Sequence, residues 1–153
     1  MKILILTIVI LISGSALADW RVYSSNDELT DKSVLIVSTV AVSNHHPYRP
    51  RLMIRCVDNQ NLSVFIIGGY FRKYIDAKYR IDKGEVVPIL AKRSTDRKSL
   101  FLKGGPMVNF VDALKSSSRL VVRTNDKRIV TYKFKTKGLR AALKNRNDQC
   151  FNS

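Results

Sequence analysis

The sequence predicts an α+β fold, a mostly antiparallel β-sheet with two late helices, behind a cleaved N-terminal signal peptide. The strand prediction rests on short runs of β-branched and aromatic residues separated by polar turns. The helix predictions rest on apolar residues at helical spacing, which begin only after residue 106. We expect the helices to cover one side of the sheet.

Residues 1–18 have the three parts of a secretory signal peptide. Lys2 supplies the positive start, residues 3–12 are apolar apart from Thr7, and Ala16 and Ala18 form a small-residue cleavage site. A transmembrane helix needs about 20 apolar residues, and this run is shorter. We therefore expect a single basic α+β domain over residues 19–153, with no transmembrane anchor after cleavage. The loss of Lys2 lowers the formal charge from +15 to +14.

Seven segments before the first helix have the composition of strands. They are Trp20–Tyr23, Val34–Val42, Arg51–Val57, Leu62–Gly68, Tyr74–Ile81, Val86–Leu90 and Leu100–Leu102. Polar turns separate them, and the two prolines of residues 44–50 predict a loop. In the third segment, Leu52, Ile54 and Cys56 alternate onto one face, which we expect to be buried.

The first helix is predicted to start at Pro106, because proline suits the first turn of a helix. We expect it to end in the serine run 116–118. Its apolar stripe consists of Met107, Phe110, Val111 and Leu114.

Residues 119–124 and 129–134 predict a hairpin whose apolar side chains share one face. They do so if Val122 lies opposite Val130 and Leu120 opposite Tyr132, with a three-residue turn at 125–127. The opposite face then carries basic side chains, namely Arg119, Arg123 and Lys133, with Lys135 beyond.

The second helix follows this hairpin, with Thr136 as its predicted N-cap. Leu139, Ala142 and Leu143 form its apolar stripe. Its outward side chains are Lys137, Arg140, Ala141 and Lys144.

Cys56 and Cys150 are the two cysteines, and both belong to the predicted mature chain. An even number of cysteines in an oxidising compartment favours a disulfide. The alternative is a buried thiol at Cys56 and an exposed thiol at Cys150. A bridge would close a loop of 94 residues, worth about 4 to 5 kcal/mol in the chain-entropy model. It would fix the basic C-terminal tail to the strand that carries Cys56.

No motif for catalysis or for metal or cofactor binding is present, so we predict a protein that is not an enzyme. His45 and His46 are adjacent, point to opposite sides of an extended chain and have no third ligand nearby. The acids fall mostly in turns, where short carboxylates stabilise the backbone. A hydrolase with two convergent carboxylates stays open, because spacing alone does not show whether two acids meet.

The strong positive charge favours polyanionic partners. The residues selected for such a surface are Arg119, Arg123, Lys133, Lys135, Lys137 and Arg140. The alternative is a solvated basic face that only maintains solubility. We do not expect nucleic acid in the cytoplasm as a partner, because Tyr132 and Phe134 fall on the core side and leave no aromatic residues among these cations.

Several short motifs follow one another along the chain, and their order is informative. They are LMIRC, SVFIIGGY, YRID, STDRKSLFL, VNFVDAL, RLVVR, KFKTKGLRAAL and a final cysteine. In this order the chain resembles the VasI (TagO) proteins, exported proteins associated with type VI secretion systems. The resemblance runs from Trp20 to Cys150. It implies a periplasmic or secreted accessory protein with bridged cysteines and no established enzymatic role. The chain departs from the family at Ile89-Leu90, where a tryptophan is often found.

Two functional hypotheses follow. The first is an accessory or adaptor protein of the periplasm that binds a protein or an anionic envelope component. The second is a secreted effector that acts on a host or competitor target. Secretion-system genes beside its own would favour the first, and recovery from the medium without cell lysis would favour the second.

Overall fold

A computed structural model describes residues 20–42, 49–69, 71–72, 75–126, 128–144 and 150–151. The predicted signal peptide, with Ala16 and Ala18 at its cleavage site, lies outside the described residues. His45 and His46 also lie outside them.

The described chain forms nine strands and two helices, which confirms the predicted α+β class. The strands are β1 Arg21–Asn26, β2 Ser33–Val40, β3 Arg51–Val57, β4 Asn61–Ile67, β5 Ile75–Ile81, β6 Val87–Arg93, β7 Ser99–Lys103, β8 Arg119–Asp126 and β9 Arg128–Lys135. The helices are α1 Met107–Lys115, between β7 and β8, and α2 Leu139–Leu143, after β9.

The strands form one antiparallel sheet in the order β1-β2-β3-β4-β7-β6-β5-β8-β9. The sheet curls until its last strand meets the second, where Ala41 and Phe134 form an antiparallel bridge. The Val42 amide donates a hydrogen bond of 2.8 Å to the Lys133 carbonyl oxygen at this contact. The curled sheet therefore has an enclosed face, called the inner face below, and a solvent-facing outer face.

The inner face is continuous across the strand pairs. In one row Val37, Ile54, Val64 and Leu102 lie opposite one another, and all four are buried. On the far half of the sheet, Tyr79, Val122 and Tyr132 form an equivalent row. Because successive side chains of a strand point to opposite faces, every second residue of these strands lies in the core.

Both helices pack on the inner face, as predicted. Phe110, Val111 and Leu114 of α1 and Leu139 and Leu143 of α2 belong to the same buried cluster as the inner strand residues. The Phe110 ring meets the Tyr79 ring edge to face, with centroids 4.9 Å apart. The predicted stripes of both helices are confirmed.

Cys56 and Cys150 form a disulfide, which confirms the predicted bridge. Both side chains are buried, and no free cysteine occurs among the described residues. The bridge joins the inner face of β3 to the end of the described chain, where the Lys115 ammonium donates a hydrogen bond to the Phe151 carbonyl oxygen. The C-terminal segment is therefore anchored at β3 and at α1.

The predicted register of the last hairpin is wrong by two residues. Val122 lies opposite Tyr132, and Leu120 lies opposite Phe134. The pairing continues to Asp126 and Arg128, so the strands extend into the predicted three-residue turn, whose Lys127 lies outside the described residues. A shift by two keeps every side chain on its predicted face, because strand alternation has a period of two.

Thr136 is not the N-cap of the second helix, contrary to the prediction. Gly138 occupies that position with a φ of 96°, a left-handed conformation that suits glycine. Thr136 is fully buried, and its hydroxyl lies 2.7 Å from that of Ser117. This hydrogen bond joins the end of β9 to the chain after α1 instead.

Gly69 leaves room for the buried ring of Phe71. A Cβ atom at residue 69 would lie 2.6 Å from Cζ of that ring. We expect Gly69→Ala to lower the free energy of unfolding by about 1 to 3 kcal/mol, since the ring must move within a packed core. Urea denaturation followed by circular dichroism would measure the change. The double variant Gly69→Ala/Phe71→Leu should recover part of the loss; a neutral Gly69→Ala would contradict the contact.

Candidate anion-binding surface

Four of the six cations selected from the sequence lie together on the outer face of β8 and β9. Arg119 and Lys135 lie directly opposite each other, Lys133 lies opposite Val121, and Arg123 lies opposite Thr131. All four side chains are exposed. The Arg123 Nε donates a hydrogen bond of 3.3 Å to the Thr131 hydroxyl, which orients the guanidinium along the sheet.

Strand β5 adds a fifth cation that the sequence analysis did not select. Lys78 is exposed and lies directly opposite Arg123 on the neighbouring strand. The alternation of β5 predicts that Lys78 points outward, since Ala77 belongs to the core cluster and Tyr79 packs against it. Its position beside Arg123 depends on the pairing of β5 with β8, which are far apart in sequence. We call Lys78, Arg119, Arg123, Lys133 and Lys135 the cation ladder.

The remaining two selected cations lie elsewhere. Lys137 is in the turn between β9 and α2. Arg140 is on α2, and its Nη2 donates a hydrogen bond of 3.0 Å to the hydroxyl of Ser116 at the end of α1. Neither residue is on a strand of the outer face, so the structure does not bring them into the cation ladder.

Arg80 is on the outer face of β5 but is used by the turn that follows. Its Nε donates a hydrogen bond of 2.8 Å to the Gly84 carbonyl oxygen, and its Nη2 donates one of 3.0 Å to that of Lys83. These bonds hold the guanidinium against the turn. We therefore assign Arg80 a structural role.

Most of the described acids lie in turns or loops and not within strands. Seven acids lie in turns or loops between strands, and they are Asp27, Glu28, Asp31, Asp58, Asp82, Glu85 and Asp96. Among the described strand residues that are not at a strand end, the only acidic residue is Asp76 of β5. No described residue forms an ion pair with a side chain of the cation ladder. The ladder is thus a row of uncompensated positive charges.

Asp82 sets the position of β8 beside β5. Its Oδ1 accepts hydrogen bonds from the Ser118 amide at 3.0 Å and from the Arg119 amide at 2.9 Å. The Asp82 amide in turn donates one of 2.9 Å to the Arg119 carbonyl oxygen. These bonds fix the start of β8 and thereby the register in which Lys78 and Arg123 become neighbours.

An open depression of about 710 Å³ adjoins the cation ladder. Leu90 of β6 is 75% exposed and Ile129 of β9 is 67% exposed, and they flank it on opposite sides. Asp76 and Asn125 pair between them, and Lys78 and Arg123 complete the polar part of the lining. The depression therefore combines apolar walls with two cations at one end.

The described residues do not gather metal-binding side chains in one place. They contain no group of three or more histidine, cysteine, aspartate or glutamate side chains placed to hold a metal ion. Hydrogen bonds within their own turns lower the pKa of Asp27, chiefly through the Thr30 hydroxyl, and the pKa of Asp96, chiefly through the Ser94 hydroxyl. Both carboxylates are fully exposed turn residues, so these shifts indicate turn stabilisation.

Comparison with known proteins shows a fold likeness. No family model matches the chain, and no curated protein matches it in sequence. The structure is similar to that of invasion-associated protein B from Bartonella henselae, with a TM-score of 0.59 and 11% sequence identity. The match covers 83% of this chain and 90% of that one. At this identity the likeness concerns the fold alone.

No helix among the described residues is long and apolar enough to cross a bilayer. The outer face of β5, β6, β8 and β9 carries both the cation ladder and the depression. Sequence reasoning found its β8 and β9 cations through alternation. It missed Lys78, Leu90 and the depression, because these depend on which strands are neighbours.

Proposed function

We propose that this protein is an exported, disulfide-bonded accessory or adaptor protein, not an enzyme, which binds a protein or anionic envelope partner through the cation ladder. The observation that carries the proposal is the concentration of five exposed, uncompensated cations on three adjacent strands. Seven of the described acids lie in turns or loops, and Asp76 is the acid within the strands of this face, away from their ends, so cations outnumber acids there.

Export is supported by the disulfide between Cys56 and Cys150. Such bonds persist in oxidising compartments and are rare in the cytosol. Residues 1–18 agree with export, because they have the positively charged start, the apolar segment and the small-residue cleavage site of a signal peptide. These features support a location in the periplasm or outside the cell, and the resemblance to the VasI (TagO) proteins supports an accessory role there.

Retention on immobilised heparin and on lipopolysaccharide resin tests the binding surface. We expect the wild type to elute at a defined salt concentration, because screening weakens exposed charge interactions. Arg119→Gln/Arg123→Gln should elute at clearly lower salt. The control Lys32→Gln/Lys98→Gln removes the same charge from turn residues and should elute close to the wild type. Equal shifts for both variants would show that overall charge, not the ladder, causes retention.

A second candidate function is release from the cell to act on a host or competitor. The fold likeness to a protein titled invasion-associated motivates it. Fractionation of unlysed cultures separates the two candidates. Retention in the envelope fraction supports the accessory role, and accumulation in the medium supports release.

A further inference from the structure

We propose that the partner presents an extended acidic peptide segment, which lies along β8 over the cation ladder and places an apolar residue in the adjoining depression. This inference rests on the proposed function, because it names the partner class for the same surface. Three observations carry it: the spacing of the cations, the like-charge pairs and the asymmetry of the depression.

The spacing of the cations matches an extended peptide. Lys78 and Arg123 form one row across the strands, Lys133 stands in the next row opposite Val121, and Arg119 and Lys135 form the third. Successive rows are two residues apart along a strand, which is about 6.6 to 6.8 Å. Side chains on one side of an extended peptide repeat at the same distance. Acidic residues at alternate positions would therefore meet every row.

The like-charge pairs indicate a site for anions. Lys78 lies opposite Arg123, and Arg119 lies opposite Lys135. Like charges directly opposite each other destabilise a sheet, and no described acid forms an ion pair with these four side chains. A carboxylate bound between the members of each pair would relieve this repulsion. The bound segment thus supplies the negative charges that the strands lack.

The depression gives the site a direction. Leu90 and Ile129 stand at its two sides, separated by three strand spacings or about 14 Å, with Asp76 and Asn125 between them. Asp76 repels an acidic side chain at this end. The segment therefore places an apolar residue between Leu90 and Ile129, and its acidic residues follow towards Arg119 and Lys135.

The linear arrangement favours a peptide over an anionic lipid surface. The depression and the three cation rows follow one strand direction. A planar layer of head groups would rest on the exposed Leu90 and Ile129 side chains and leave the floor at Asp76 and Asn125 unoccupied. A single extended strand can reach the floor and the cation rows together.

Fluorescence anisotropy with two labelled peptides tests the proposal. The probe has one leucine followed by glutamates at alternate positions with serines between them. The control peptide has the same composition with its glutamates contiguous. We expect the alternating peptide to bind at least fivefold more tightly at low salt. Equal affinity for both peptides would overturn the proposed spacing.

Variants of the protein locate the site. Lys78→Gln, Arg123→Gln and Lys133→Gln should each weaken binding of the alternating peptide about two- to fivefold, as expected for exposed charge pairs. Asp76→Asn should strengthen it, which a merely damaged fold would not do. Lys32→Gln, in the β1–β2 turn, should leave the affinity unchanged. Weakening by Lys32→Gln equal to that by Lys78→Gln would overturn the site.

Vesicles of phosphatidylglycerol mixed with phosphatidylcholine distinguish the lipid alternative. Vesicle binding that depends on Lys78 and Arg123, without binding of either peptide, would overturn the peptide proposal in favour of lipid. Failure of the peptides while Arg119→Gln/Arg123→Gln still lowers heparin retention would refute this inference and leave the proposed function standing. Loss of the heparin effect as well would refute both.

Discussion

Reduction of the Cys56–Cys150 disulfide is expected to lower the free energy of unfolding by about 4 kcal/mol. The bond closes a sequence separation of 94 residues, and in the chain-entropy model its main effect is to restrict the unfolded chain. Domains of this kind have a total stability of about 5 to 15 kcal/mol, so the reduced protein loses a large part of its margin. Urea denaturation with and without a reductant measures the difference.

The double variant Cys56→Ala/Cys150→Ala provides the control. Alanine is used because the two side chains are only 2% and 3% exposed, and serine would bury two hydroxyl groups. The variant should unfold at the same urea concentration in both buffers, close to the reduced wild type. A wild-type protein whose stability does not change on reduction would contradict the role assigned to the bridge.

Phe134→Ala is expected to lower the free energy of unfolding by about 3 to 5 kcal/mol. Phe134 is fully buried, lies opposite Leu120 and forms the bridge to Ala41 through which β9 meets β2. Its removal leaves a cavity where the sheet closes. We also expect faster hydrogen exchange at the Val42 amide, because its acceptor is the Lys133 carbonyl oxygen beside Phe134.

Ile129→Ala is the matched control on the same strand. Ile129 is exposed on the outer face, so its loss should change stability by less than about 0.5 kcal/mol. Urea denaturation and amide exchange measured by NMR are applied to both variants. A cost for Phe134→Ala no larger than that for Ile129→Ala would show that closure of the sheet does not contribute to stability.

Local patterns in the sequence predicted the elements of the fold well. Alternation placed Leu52, Ile54 and Cys56 on the inner face, and helical spacing placed Phe110 and Leu114 in the core. These features depend on periodicity, which a sequence displays directly. The signal peptide and the histidine pair stay predictions.

Non-local pairing was beyond sequence reasoning. β4 pairs with β7, and β8 pairs with β5, and no local pattern in the sequence distinguishes these pairings from others. The meeting of β2 with β9 depends on the curvature of the whole sheet. For the hairpin of β8 and β9, the sequence predicted correctly which side chains share a face, but the predicted register was wrong by two residues. A shift of two residues leaves every side chain on the same face, so the alternation cannot detect it.

The same distinction between local patterns and non-local pairing applies to the residues of the candidate site. Arg119, Arg123 and Lys133 were found because they alternate with apolar residues on β8 and β9. Lys78 and Leu90 were missed because they join the site only through pairings of β5 and β6. Of the neighbouring residues Ile89 and Leu90, Ile89 lies in the core and Leu90 lines the depression.

The cation ladder is assembled from β5, β8 and β9, whose residues Lys78 and Arg123 become neighbours only after β5 and β8 have paired. The cation ladder is therefore absent from an unfolded or partly folded chain. A ligand that recognises the ladder binds only the native state. By mass action such a ligand would raise the melting temperature as its concentration increases. Recognition would thereby act as a proofreading step, which withholds the partner from chains that have not completed their sheet.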